Sequence, residues 1–103
     1  MDIAYSVNQI PIRLTSERWV HIVENHDDMA GYYEDVIEVL ENPDLILNGY
    51  NGSLIAVKEY GQKRYLSVIY RELSQDDGFV ISAYFTSKVD RKKAKWKNKN
   101  RRC

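Results

Sequence analysis

Both histidines of the chain, His21 and His26, lie in the single stretch Trp19-Val20-His21-Ile22-Val23-Glu24-Asn25-His26. Histidine is the side chain whose ordinary pKa falls nearest working pH, so two in one segment point toward general acid–base chemistry. One packed ring and one surface ring would account for the pair without any chemistry. A shared metal ion fits less well. At roughly 100° per residue the two rings diverge by about 140° on a continuous helix, unlike the i, i+4 pair that converges on zinc. Asp27 and Asp28 could add oxygen ligands only if that helix ended early, so no metal site is expected.

The element that must hold the histidines reads as an amphipathic helix. Thr15 and Ser16 offer a hydroxyl cap, followed by a mixed first turn. Trp19, Ile22, Val23 and His26 recur at i, i+3, i+4 and i+7, which puts His26 on the packing stripe. His21 falls about 200° from Trp19 and should point away. Geometry favours His26, with His21 an open alternative. After a break at Asp27-Asp28, a second helix turns Tyr33, Val36, Ile37 and Leu40 inward and Glu34, Asp35, Glu38 and Glu41 to water. Asn42-Pro43 stops it, because the residue before proline avoids the helical region.

From Leu45 the hydrophobic period changes to two. Strands are expected over residues 45–47, 53–60, 64–71 and 79–86, with Asn51-Gly52 as the positive-φ pair of a tight turn. Short links make such a sheet antiparallel. The expected fold class is α+β, with two N-terminal helices packed on a four-stranded antiparallel β-meander. One domain would span residues 1–90, and residues 91–103 would form a basic C-terminal tail.

Alternation puts Ile55, Val57, Leu66, Val68, Phe79, Ile81, Ala83 and Phe85 beneath the helices. The other face then collects Lys58, Tyr60, Tyr65, Ser67, Arg71, Ser82, Tyr84 and Thr86. A wet sheet face needs no function. Yet rings that stack, cations that meet phosphate and hydroxyls that hydrogen-bond are what a sheet needs to hold RNA.

Charge is balanced in total and divided in space. Residues 1–44 hold ten acidic and two basic side chains, a balance of −8, and residues 45–103 hold five and thirteen, a balance of +8. The densest basic run, from Lys88 to Arg102, suits a polyanion, and Trp96 within it could stack on a base. It would equally suit an acidic protein partner. Cys103 is the sole cysteine, so no internal disulfide forms. Residues 1–11 lack the basic and apolar regions of a signal peptide, and a cytoplasmic protein is expected. No apolar run has the length of a membrane span, and no phosphate loop, nucleophile elbow or full calcium loop occurs. Neither a membrane nor a cofactor is expected.

A helix bearing His21-Ile22 and His26 is followed by an acidic helix ending in Asn42-Pro43-Asp44. A β-meander then ends in Ala83-Tyr84-Phe85-Thr86-Ser87-Lys88. This order resembles the barnase–EndoU–colicin–RelE superfamily of nucleases, in particular its small phage- and toxin-associated branches. The resemblance runs over about residues 13–90. It implies a metal-independent ribonuclease, the toxin of a pair whose partner is a cognate antitoxin. It implies His26 or His21 as the acid–base residue, Lys58 or Arg71 as the strand cation, and Thr86, with Ser87 beside it, as the hydroxyl residue. Tyr65, Tyr70 or Tyr84 would be the strand tyrosine. Lys58, Tyr65, Tyr84, Ser87 and Lys88 would then touch the RNA.

These residue types suffice for cleavage by the RNA's own 2′-hydroxyl. A base takes the 2′ proton, the oxygen attacks phosphorus, and an acid protonates the departing 5′-oxygen. A fixed cation steadies the charge that builds on the phosphate. The alternative is a non-catalytic RNA- or protein-binding module on the same fold. Acidic helices opposite a basic sheet would also permit self-association.

Overall fold

The computed structural model describes residues 2–98. Over these residues the order is β1 (Asp2–Tyr5), β2 (Pro11–Leu14), α1 (Ser16–Asn25), α2 (Tyr33–Glu41) and β3 (Leu45–Asn48). There follow β4 (Leu54–Gly61), β5 (Arg64–Ser74), β6 (Asp77–Thr86) and β7 (Ala94–Lys97). The strands form one seven-stranded sheet in the order β1-β2-β6-β5-β4-β3-β7. Neighbours are antiparallel except β2 and β6, which run parallel through the bridge Arg13–Phe79.

This architecture corrects the expected four-stranded antiparallel meander. The sheet is mixed and larger, and the helices do not begin the chain but follow the β1–β2 hairpin. Each hairpin strand is four residues long, too short to display much alternation. Ala4, Ile12 and Leu14 are its buried side chains, while Ile3 and Tyr5 remain exposed. Pro11 opens β2, a position where proline removes no interior ladder bond.

Polar contacts tie the hairpin to the rest of the sheet. Ser6, 1% exposed, donates from Oγ to Glu72 Oε2 at 2.6 Å, and its oxygen accepts the N–H groups of Asn8 and Ile10. Arg13 forks onto both carboxylate oxygens of Asp77 at 2.9 and 3.2 Å. The hairpin is thereby anchored at the end of β5 and the start of β6.

β7 falls within the expected basic tail. Trp96 is half-buried against the core, between exposed Lys95 and Lys97, so a period-two pattern lies inside the charge run. Lys99, Arg101, Arg102 and Cys103 lie outside the described residues.

Both helices lie on one face of the sheet. Thr15 caps α1, its hydroxyl accepting the Arg18 N–H at 3.1 Å. α1 buries Ile22, and Trp19 meets the Tyr33 ring edge-on at 5.1 Å. α2 buries Val36, Val39 and Leu40 against Leu54, Ala56, Leu66 and Val68 of the sheet. Each such side chain contributes roughly 1.5–3 kcal/mol by leaving water. Tyr70 also points into this core, 0% exposed, and among the described residues its hydroxyl has no hydrogen-bond partner. Burial pushes that hydroxyl's pKa upward, with Glu72 adding to the effect.

The face assignment needs two corrections. In β4 the helix side carries Leu54, Ala56, Lys58 and Tyr60, since they stand opposite Tyr70, Val68 and Leu66 of β5 or bond to α2. Ile55 and Val57 therefore face the other way. Leu54-Ile55-Ala56-Val57 is apolar on both sides, so its parity cannot be read from polarity. In β6 the register slips at Ile81: Ser82 stands opposite Ile69, but Val80 opposite Tyr70. A bulge places one extra residue there and reverses the alternation beyond it. Ala83 and Phe85 lie under the helices as expected, whereas Phe79 and Ile81 do not.

Candidate active site on the open sheet face

The face away from the helices carries Tyr65, Ser67, Ile69 and Arg71 of β5 beside Thr86, Tyr84, Ser82 and Phe79 of β6. Part of it is covered. The connection from β6 to β7 crosses it, with Arg91 donating to Glu59 Oε2 at 2.7 Å and lying 6.0 Å from the Tyr65 ring centroid. Val57, Leu45 and Ser67 are consequently no more than 4% exposed. The remainder opens into a cavity of about 660 Å³ lined by Ile55, Ile69, Ile81, Arg71, Tyr84 and the β3–β4 loop.

The two histidines separate. His26 caps the C-terminus of α1, its N–H bonded to Ile22 O, and turns half-buried toward the edge of β6. There its ring lies 5.7 Å from that of Tyr84, inclined by 32°. The β2–β6 pairing ends at Phe79, which leaves this stretch of the β6 edge free for the helix end. His21 lies on the outer side of α1, its side chain 65% exposed and 3.9 Å from Glu24. The helical stripe already implied this division.

Arg71 is half-buried in the lining of the cavity, and among the described residues no hydrogen bond or ion pair engages its guanidinium. A Cβ added to Gly52 would stand 3.3 Å from its Nη2, and the positive φ of 80° at this position favours glycine beside the cation. Asn51 and Gly52 both adopt positive φ, 54° and 80°, as the Asn-Gly pair predicts. Arg71 is four residues from Ser67, which pairs with Tyr84. At roughly 3.3 Å per residue this is about 13 Å along the sheet. Arg71 and Tyr84 both line the cavity, from opposite ends of this span.

Thr86 belongs to the opposite end of the face. It pairs with Tyr65, and its hydroxyl accepts the Lys88 N–H at 3.3 Å. Six residues separate Tyr65 from Arg71, about 20 Å of strand. Arg71 and Thr86 therefore cannot act on the same phosphate. Ser87 and Lys88 are exposed just beyond Thr86, beside the end of the face that holds Tyr65.

Lys58 is not on this surface. Its ammonium sits 3.4 Å from Glu38 of α2 on the helix-covered side. Tyr60 lies there too, donating to Asp35 Oδ1 at 2.6 Å; burial first, then this bond, pushes its pKa upward. Burial and then the Asp2 carboxylate raise Tyr33, at the start of α2, to about 12. Among the described residues no group of three or more His, Cys, Asp and Glu could hold a metal ion, and no helix is long and apolar enough to cross a membrane.

Sequence reasoning missed the loop residues of the cavity, Asn48, Tyr50 and Ser53, together with the bulged Ile81. Asn51-Gly52 marked the turn, but only the register of β3 on β4 sets that turn beside Arg71. Comparison of the chain with protein-family models, curated proteins and solved structures returns no match.

Proposed function

We propose that this protein is a metal-independent endoribonuclease that cleaves RNA by attack of the 2′-hydroxyl on the adjacent phosphate. What carries the reading is the half-buried His26 imidazole packed on Tyr84, a lining residue of the cavity that also holds Arg71, whose guanidinium has no partner among the described residues. In this account His26 takes the 2′ proton as the new oxygen–phosphorus bond forms. The Tyr84 hydroxyl gives a proton to the 5′-oxygen as the old bond breaks. Arg71 steadies the negative phosphate oxygens, the effect that electrostatic catalysis depends on most. Each placed proton transfer contributes on the order of 10²–10⁴-fold.

Tyr65, Thr86, Ser87 and Lys88 hold the strand about 20 Å from Arg71 along the sheet, outside the reacting centre. The resemblance to toxin-associated nucleases adds a biological setting, a toxin restrained by a cognate antitoxin. RNA containing a single 2′-deoxynucleotide at the cut site tests the chemistry. With EDTA present, the all-ribose strand should yield a 2′,3′-cyclic phosphate end and the substituted strand should stay intact. Equal cleavage of both strands would rule the mechanism out, and binding without cleavage would favour a binding module.

A further inference from the structure

We infer that the cavity beside Arg71 is a pocket for one unstacked nucleobase of single-stranded RNA; this rests on the proposed ribonuclease reading and names what the site selects. Its volume, about 660 Å³, falls within the usual range for small-ligand sites, roughly 300–1,000 Å³. The floor is apolar, made by Ile55, Ile69 and Ile81. The exposed polar residues Asn48 and Asn51 stand at the rim with Tyr50, a residue 92% exposed, and Ser53 is a buried polar residue of the lining. A large aromatic side chain left so open gains nothing for the fold, since it buries almost no area.

These features match a flat heteroaromatic ring with a polar edge. The isoleucines accept its face, Tyr50 can stack on it, and the Asn48 and Asn51 amides offer both donors and acceptors to its edge. Arg71, without an ion pair among the described residues, would meet the phosphate attached to that nucleotide. An exclusively apolar ligand would leave Arg71 and the amides unsatisfied. A bare phosphate would leave the apolar floor in water. A nucleotide uses both. The bulge at Ile81 contributes directly, because regular alternation would have turned that side chain toward the helices.

The test is an NMR titration of the full chain, labelled on isoleucine methyl groups and amides, with the four nucleoside 3′-monophosphates and with ribose 5-phosphate. At least one nucleotide should shift the Ile55, Ile69 and Ile81 methyls, and ribose 5-phosphate should not. Tyr50→Ala should weaken nucleotide binding by on the order of tenfold, as loss of one stacking ring typically does. Asn51→Gly, which tolerates the positive φ, should flatten the preference among the four bases. Tyr50 is too exposed for its loss to disturb folding.

Equal binding of ribose 5-phosphate, shifts confined elsewhere, or an unchanged Tyr50→Ala affinity would each overturn the base pocket. The two readings fail separately. Nucleotide seating in a protein that does not cut RNA removes the enzyme and keeps the pocket. His26-dependent cleavage with a silent cavity removes the pocket alone.

Discussion

The imidazole of His26 lies 5.7 Å from the ring of Tyr84, joining the end of α1 to the open face of β6. Ring packing and the tyrosine hydroxyl can be separated by substitution. Tyr84→Phe keeps the packing and should leave KM for an RNA oligonucleotide within about twofold, while kcat falls on the order of 10²-fold. Tyr84→Ala removes the ring as well and should raise KM besides. Steady-state cleavage kinetics of the two variants checks the split.

Arg71 and Lys58 are both strand cations, but they occupy opposite faces. Arg71→Ala should weaken RNA binding and flatten the dependence of log affinity on log salt by about 1. Lys58→Ala should leave that slope unchanged, because its ammonium meets Glu38 beneath the helices. Fluorescence anisotropy with a labelled RNA at several salt concentrations measures both slopes.

Much of this arrangement is legible in the sequence, and the limits have physical causes. The helix cap at Thr15, the stripe ending in His26 and the Asn51-Gly52 turn all depend on local geometry, and local patterns record them. Open-face residues of β5 are legible at Tyr65, Ser67 and Arg71, where polar side chains mark the face, but not at Ile69, which stands between Val68 and Tyr70. The β4 faces are not, since Leu54 to Val57 is apolar on both sides, one covered by α2 and the other by the β6–β7 connection. Nor does any local pattern disclose that Ile81 is bulged, as that depends on the partner strand. The hairpin β1–β2 and the strand β7 escape notice because their four-residue strands show little alternation, and in β7 charge dominates what remains.

Tyr70 presents to the core a hydroxyl with no hydrogen-bond partner among the described residues. Tyr70→Phe should therefore stabilise the protein, by about 1 kcal/mol, as the penalty of an unsatisfied buried polar group disappears. Urea denaturation at neutral pH should show a higher midpoint with an unchanged slope.

Three tyrosines, Tyr33, Tyr60 and Tyr70, have pKa values raised by burial above the ordinary value of 10.0. A raised folded-state pKa means that the native protein holds its protons after the unfolded chain has begun to lose them. The associated stability is whole below pH 10.0 and falls as pH climbs past it, through about 12 for Tyr33. Thermal melts between pH 9 and 11.5 should show a declining Tm, and Tyr60→Phe should shallow the decline. Tyrosinate absorbance should lag the loss expected for exposed phenols.

The most direct test of the central claim compares His26→Ala with His21→Ala in cleavage of cellular RNA by purified protein with EDTA present. His26→Ala should reduce cleavage by on the order of 10²–10⁴-fold while RNA binding persists. His21→Ala, altering an exposed side chain on the far side of α1, should cleave like the wild type. Full activity in His26→Ala, or its loss in His21→Ala, would contradict the assignment of the active site to the open sheet face.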